Sequence, residues 1–333
     1  SFTMSGLFVW SVGLIWKRLM TVLLFRRGPG HDGDVTVGQG GVEKTTKITD
    51  GIILPEDLGR RLDQLAKSIR GARKLRAPLR HLLLFGPPGT GKTMVARRLS
   101  QISGLDWAIM SGGDVGPLGA AASTEIHAIL NWARRSPKGL LLFVDEAEAA
   151  LCDRGRPDLS EEAISALNAF LFHTSDPSYT FMLVLATNRP GDLDAAVLDR
   201  VDEAVEIPLP DERAREKLLH LYFAMAFDRP APSTRLGRLL DKLLKRFRAP
   251  DVVIELDRKR AIRALAKKTE GYSGRECSKL MLSVQGAVYA TERRASGELV
   301  LDDELWHRTV RWKLEEVKPR AAKAVADLRV AVE

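Results

Sequence analysis

Residues 86–93 read Gly-Pro-Pro-Gly-Thr-Gly-Lys-Thr, directly after the run His81-Leu-Leu-Leu-Phe85. Glycines at this spacing suit one task, wrapping backbone around a phosphate. Without a Cβ the chain closes on an anion at no steric cost. Its N–H groups then face inward, and a helix opening at the same point adds partial positive charge. Met94, Val95, Leu99 and Ile102 supply the helical apolar spacing after the loop. A buried strand before and a helix after distinguish a phosphate loop from a chance Gly-Pro turn. The nucleotide-binding candidates are therefore Gly86, Pro87, Pro88, Gly89, Thr90, Gly91, Lys92, Thr93 and Met94. Lys92 is expected to reach the β- and γ-phosphates, and the Thr93 hydroxyl to hold Mg²⁺.

A second group of residues can do the hydrolytic chemistry. The apolar run Gly139-Leu-Leu-Leu-Phe-Val144 ends in Asp145-Glu146. Mg²⁺ keeps several waters and needs few carboxylates, which suits Asp145 as the second residue on the metal side. Glu146 is placed to orient or deprotonate the attacking water. An acidic strand end is common on its own. Its meaning comes from the phosphate loop one helical unit upstream. The strand Phe181-Met-Leu-Val-Leu-Ala186 ends in Thr187-Asn188-Arg189-Pro190, and the Asn188 amide can hold a nucleophilic water. Arg200 follows one short helix later, in Leu193–Asp202. It can offset charge at a γ-phosphate bound by a neighbouring subunit, or simply pair with Asp199 or Asp202. No Asn-Lys-x-Asp guanine-reading motif is present, which favours ATP over GTP.

Positioning these groups needs an open sheet. Strand patterns near 81–85, 106–111, 140–145, 180–187 and 204–208 alternate with helical patterns at 92–103, 123–135, 159–172 and 193–199. That alternation predicts an α/β fold, a P-loop NTPase parallel sheet flanked by helices. Ligands in such sheets bind at the carboxyl ends of strands, and all three motifs end strands there. A helix is expected from Pro55 on, with Leu58, Leu62, Leu65 and Ile69 on one face. After Pro210 no strand is evident, and helical patterns at 211–224, 235–247, 259–269, 274–292 and 302–317 predict an all-helical lid subdomain. The domain expectation is a 51–210 core, a 211–317 lid and a 318–333 tail. No internal repeat is visible.

The formal net charge is +8, and four cations (Lys17, Arg18, Arg26, Arg27) lie in residues 1–27, which hold no acid. The apolar run Gly6–Trp16 is shorter than the roughly 20 residues a span needs. With Trp10, Trp16 and the basic pairs, residues 1–27 read as a membrane-associated or interfacial segment. A packed core helix is the plainer alternative. The chain opens on Ser, which fits a fragment with segments upstream. Residues 28–50 form a Gly-rich linker in this reading. Cys152 and Cys277 stand far apart, against a disulfide framework and against zinc, and fit a reducing compartment. Direct nucleic-acid binding has only the charge behind it.

Together the strings GPPGTGKT (86–93), LLLFVDE (140–146), ATNRP (186–190), LDAAVLDRVD (193–202) and GYSGRE (271–276) resemble the AAA ATPases. AIMSGGDVGPLG (108–119), GLLLFVDEAEA (139–149) and LNAFLFHT (167–174) are similar to the mitochondrial AAA-domain-containing protein three family. The resemblance implies a homo-oligomeric ring, usually a hexamer, with ATP and Mg²⁺ between subunits. It implies a mitochondrial inner-membrane protein with its AAA module in the matrix, a protein partner yet to be identified, and roles in cristae or nucleoid organisation. It assigns Asp145 and Glu146 to Walker B, with Glu146 as the catalytic carboxylate, Asn188 as sensor 1, Arg200 to the arginine-finger region and Arg275 as sensor 2. A capping box from Ser273 and Glu276 is the structural role of that last segment. Two departures matter. Leu198-Asp199 precede Arg200 where many members carry another arginine, and Pro117-Leu118-Gly119 replaces the usual aromatic pore loop. Threading of folded chains is therefore in question. A nucleotide-stabilised membrane scaffold with little turnover is the alternative to an active remodelling ATPase.

Overall fold

The computed structural model describes residues 36–38, 47–49, 51–115, 119, 121–156, 159–228, 252–292 and 298–330. Side chains are described through Glu316, except at 36–38. The expected interfacial segment 1–27, the helix at 235–247 and pore-loop residues Pro117-Leu118 lie outside the described residues. The chain divides into two compact units: Ser1–Ile52 with Glu56–Pro208, and Ile53–Pro55 with Leu209–Glu333.

The first unit is a six-stranded sheet. Its strands are β1 (Thr36–Gly38), β2 (Leu82–Phe85), β3 (Asp106–Ser111), β4 (Leu140–Asp145), β5 (Phe181–Thr187) and β6 (Glu203–Glu206), in the order β1-β3-β4-β5-β2-β6. The five strands from β3 to β6 are parallel, and β1 pairs antiparallel with β3. Residues of β4 through Val144 and all of β5 are buried, as central strands covered on both faces require. The helices are α1 (Glu56–Leu75), α2 (Lys92–Ser103), α3 (Ala121–Ala133), α4 (Glu161–His173) and the short α5 (Ala195–Leu198). In α1 Leu62, Leu65, Ala66 and Ile69 are buried, with acids in the first turn and bases in the last, matching the helix dipole. Ile126 and Leu130 of α3 pack with Leu167 and Phe170 of α4 and with the apolar residues of β4 and β5 in one core.

The order β4-β5-β2 matters most for the site. It puts the end of β5 between the acidic end of β4 and the loop after β2. Leu84 pairs with Ala186 and Phe85 with Thr187, so β2 and β5 end at the same level.

The second unit holds α6 (Glu212–Phe227), α7 (Arg258–Lys268), α8 (Gly274–Tyr289) and α9 (Asp303–Val330). Their core gathers Phe223, Leu265, Leu280, Val284 and Trp306. Arg215 is buried here, donating to the carbonyls of Pro210 and Ala266.

Three sequence expectations are corrected. The expected linker 28–50 contains β1, which a Thr-Val-Gly run between glycines did not announce. The lid is helical but not wholly so. Strands β7 (Val252–Ile254) and β8 (Leu299–Leu301) form a parallel pair, and strands of three residues are too short to show an alternating pattern. Helix α9 also continues through the expected boundary at 317 to Val330.

Candidate functional site

The loop after β2 is shaped by glycines. Gly86 has φ +143°, and a Cβ there would stand 2.3 Å from the Ile207 carbonyl oxygen. Gly91 caps α2 in the left-handed conformation, with no side-chain cap bond and no acid in the first turn. A glycine cap leaves the start of α2 without a capping side chain, the arrangement that receives a phosphate. By contrast α4, α6, α7 and α8 are each capped by a Ser or Asp side chain.

Lys92 is buried. Its Nζ donates to Gly86 O at 2.8 Å, Pro87 O at 2.9 Å and Asn188 Oδ1 at 2.7 Å. Thr90 closes the loop by donating to Pro87 O at 3.0 Å. One residue past Lys92, the Thr93 hydroxyl donates to Asp145 Oδ2 at 2.6 Å. The ends of β2, β4 and β5 thus meet through Lys92, Thr93, Asp145 and Asn188. Oxygen donors of this kind suit Mg²⁺. Met94 is exposed on the first turn of α2.

Beyond Asp145 the backbone turns through an unusual conformation. Glu146 has φ 49° and ψ 46°, and Arg76 is the other non-glycine with positive φ among the described residues. A bulky residue held left-handed carries backbone strain, which persists where surroundings enforce it. Here the enforcement is a 3₁₀ turn, Ala147–Ala149, seated against Gly112. A Cβ on Gly112 would lie 2.3 Å from the Glu146 carbonyl oxygen. Glu146 itself is exposed.

The family model described as "ATPase family associated with various cellular activities (AAA)" matches residues 82–209. Residues 82–209 are an AAA domain. The strands and the loop that meet at Lys92 all lie inside it. The chain is 39% identical over 288 residues to ATPase family AAA domain-containing protein 3 of Xenopus tropicalis, covering 85% of this chain and 46% of that protein. It is 44% identical over 249 residues to the 3A homolog of Drosophila melanogaster, covering 75% of this chain and 39% of that protein. It is 40% identical over 253 residues to the human 3A protein, covering 76% of this chain and 41% of that protein. The chain thus spans less than half the length of these relatives. Among solved structures, the FIGL-1 AAA domain in complex with ADP superposes with a TM-score of 0.55 at 20% identity, covering 77% of this chain and 76% of that one. That likeness is one of fold.

Within the AAA domain Arg200 stands apart from the Lys92 group. It donates from Nη1 to Ala196 O at 2.8 Å, and its Nε is buried without a hydrogen-bond partner. Asp199 is 4.0 Å away. Asp202 instead accepts from the His81 backbone N–H. Behind the site, His81 Nδ1 accepts from Leu183 N–H at 3.0 Å. Burial holds the His81 pKa below its usual value, against the opposing pull of Asp202. Asp194, the cap of α5, accepts from Ala196 N–H and from Arg154. Burial pushes its pKa up, but these donors outweigh burial and hold it down.

In the second unit, Arg275 is exposed on the first turn of α8. Ser273 and Glu276 form the expected capping box there, with Glu276 Oε2 accepting from Ser273 N at 2.7 Å. Both cysteines are free and buried, and burial raises the Cys277 pKa to about 12. No group of three or more metal-ligating His, Cys, Asp or Glu side chains occurs among the described residues. Among them, no helix is long and apolar enough to cross a membrane.

Sequence reasoning missed Gly112 and Glu148. Glu148 Oε1 accepts from the Asn188 backbone N–H at 3.4 Å. The acid two residues past Glu146 was visible, but only the adjacency of β4 and β5 shows what it faces.

Proposed function

We propose that this chain is a Mg-ATP-dependent AAA ATPase, acting as a homo-oligomer, that remodels or organises a protein partner at the matrix face of the mitochondrial inner membrane. The observation that carries the catalytic part is the meeting of three strand ends through the Lys92–Asn188 contact of 2.7 Å and the Thr93–Asp145 contact of 2.6 Å. Lys92, the α2 N-terminus and the glycine loop bind and orient the phosphates. Thr93 and Asp145 would hold Mg²⁺, which when bound neutralises phosphate charge. Glu146 orients or deprotonates the attacking water. Asn188 holds that water in line. Arg200 of a neighbouring subunit offsets developing charge. The hexamer, the compartment and the membrane rest on the resemblance to the AAA-domain-containing protein three family and on the basic apolar segment 1–27.

A second reading, a nucleotide-stabilised scaffold with little turnover, is favoured by Arg200. Its guanidinium is held against the preceding helix α5 at Ala196 O, and no second arginine stands beside it in sequence. The separating experiment measures ATP turnover and oligomeric state together in wild type, Glu146→Gln and Arg200→Ala. The ATPase reading expects Glu146→Gln to bind ATP and lose turnover by about 10²-fold or more. It expects Arg200→Ala to assemble and turn over slowly. An assembled wild-type ring with no detectable turnover leaves the scaffold.

A further inference from the structure

The hydrolysis scheme leaves one acid of the site unused. Glu148 is half-buried on the 3₁₀ turn after Glu146. Its Oε1 accepts from the Asn188 backbone N–H at 3.4 Å, while its Oε2 is buried with no hydrogen-bond partner. Native chains keep few buried carboxylate oxygens without donors, because desolvation is not recovered. This one is retained where its sister oxygen faces the residue that bonds Lys92.

The surroundings show what that contact does. Asn188 is exposed, on a turn just past the buried end of β5. The next amide, Arg189 N–H, is fixed by Thr187 Oγ1 at 2.9 Å. Glu148 fixes the Asn188 amide, so two carboxylate or hydroxyl acceptors set the path of this turn. The direction of the Asn188 side chain follows from that path, and its Oδ1 meets Lys92 at 2.7 Å. The platform under Glu148 is stiff. Ala149 N–H bonds Glu146 O at 2.9 Å and Leu151 N–H bonds Ala147 O at 2.9 Å. Gly112 leaves that turn no room to slide toward β3. At 3.4 Å the contact is longer than the usual N–H···O bond, so it depends on an acceptor atom held at that reach and is lost when the side chain is truncated.

We propose that Glu148 is a positioning residue for ATP hydrolysis: it anchors the Asn188 backbone and so aims the Asn188 side chain at the Lys92 end of the phosphate site. The proposal rests on the ATPase reading above. It differs from a role as general base, because an anchor needs an acceptor atom and a base needs a titrating carboxylate.

The test uses the full 333-residue chain and the variants Glu148→Ala, Glu148→Gln and Glu148→Asp. ATP turnover is read as kcat and KM, and hydrogen exchange is read at the Asn188 amide. Loss of this one bond predicts a fall in kcat of about tenfold in Glu148→Ala, with KM within about twofold and Asn188 exchange faster by a similar factor. Glu148→Gln keeps an acceptor and is expected within about threefold of wild type in both readouts. If Glu148→Ala does not fold, Glu148→Asp carries the test, since its shorter reach loosens the contact and must speed Asn188 exchange and lower kcat. Equal loss in Glu148→Gln and Glu148→Ala overturns the anchor in favour of a base. Unchanged Asn188 exchange overturns it outright, as does faster exchange with kcat unchanged. A wild type without turnover whose Asn188 amide still responds to Glu148→Ala defeats the ATPase reading and leaves the anchoring contact standing. Normal turnover with an unresponsive Asn188 defeats this proposal alone.

Discussion

Lys92 directs a buried ammonium at two loop carbonyls and at Asn188. A buried cation is held only where donors and acceptors match. Lys92→Met removes the charge at nearly constant volume. ATP affinity is expected to fall on the order of 100-fold or more, read by titration of a fluorescent ATP analogue. A loss below threefold would mean the ammonium serves the loop and not the phosphate. His81 makes the opposite use of burial. It stays neutral so that Nδ1 can accept from Leu183 N–H. Burial holds its folded pKa below the usual imidazole value of about 6.5. The unfolded chain therefore binds the proton more readily, and the stabilisation is complete above about pH 6.5 and declines as pH falls below it. His173 is lowered too, by burial, Arg134 and His127, and adds in the same direction. The urea midpoint of the wild type is expected to drop between pH 7.5 and 5.5, and His81→Gln to start lower and drop less. Parallel slopes for the two proteins would remove His81 from that account.

At the scale of elements, the site is an outcome of strand order. Gly86 and Gly112 act there by letting backbones touch. At Gly112 the added methyl of Gly112→Ala must displace the Glu146 carbonyl, because the atoms it meets are backbone and cannot swing aside as a flexible side chain would. Glu146 and Glu148 ride that turn, so kcat is expected to fall by about tenfold while the fold survives; far-UV circular dichroism and turnover check both parts. Wild-type kcat in Gly112→Ala would show that the turn relaxes without moving its acids. This is also where the sequence becomes silent. Helix α2, strand β3 and strand β4 start and end where periodicity and breakers put them, because Gly91, Gly104 and Gly139 punctuate them and each carries positive φ. The phosphate loop was legible because its chemistry is local. Asn188 was legible as a strand end. Its contacts with Lys92 and Glu148 were not, since they join residues 96 and 40 positions apart. Strands β1, β7 and β8 escaped notice because a three-residue strand has no period, and pairing rather than propensity makes it a strand.

At the scale of the whole molecule, the charge is unevenly distributed. Half of the net +8 is accounted for by the four cations of residues 1–27, where no acid offsets them. Each basic residue near an anionic leaflet contributes on the order of 1 kcal/mol, and the apolar side chains around Trp10 and Trp16 add burial at the interface. The described residues offer no spanning helix in place of that segment. Membrane association is therefore expected to follow residues 1–27 and not the ATPase core. In carbonate extraction, the full chain should stay with the membrane pellet and a chain starting at residue 28 should move to the supernatant. Salt tells the two contributions apart. If the cations dominate, raising salt from 0.1 to 1 M shortens the screening length from about 10 to 3 Å and should release the full chain. If burial dominates, salt leaves it bound while carbonate does not lift it off. A truncated chain that pellets as the full chain does would place the membrane contact elsewhere, and would return residues 1–27 to the plainer role of a packed core helix.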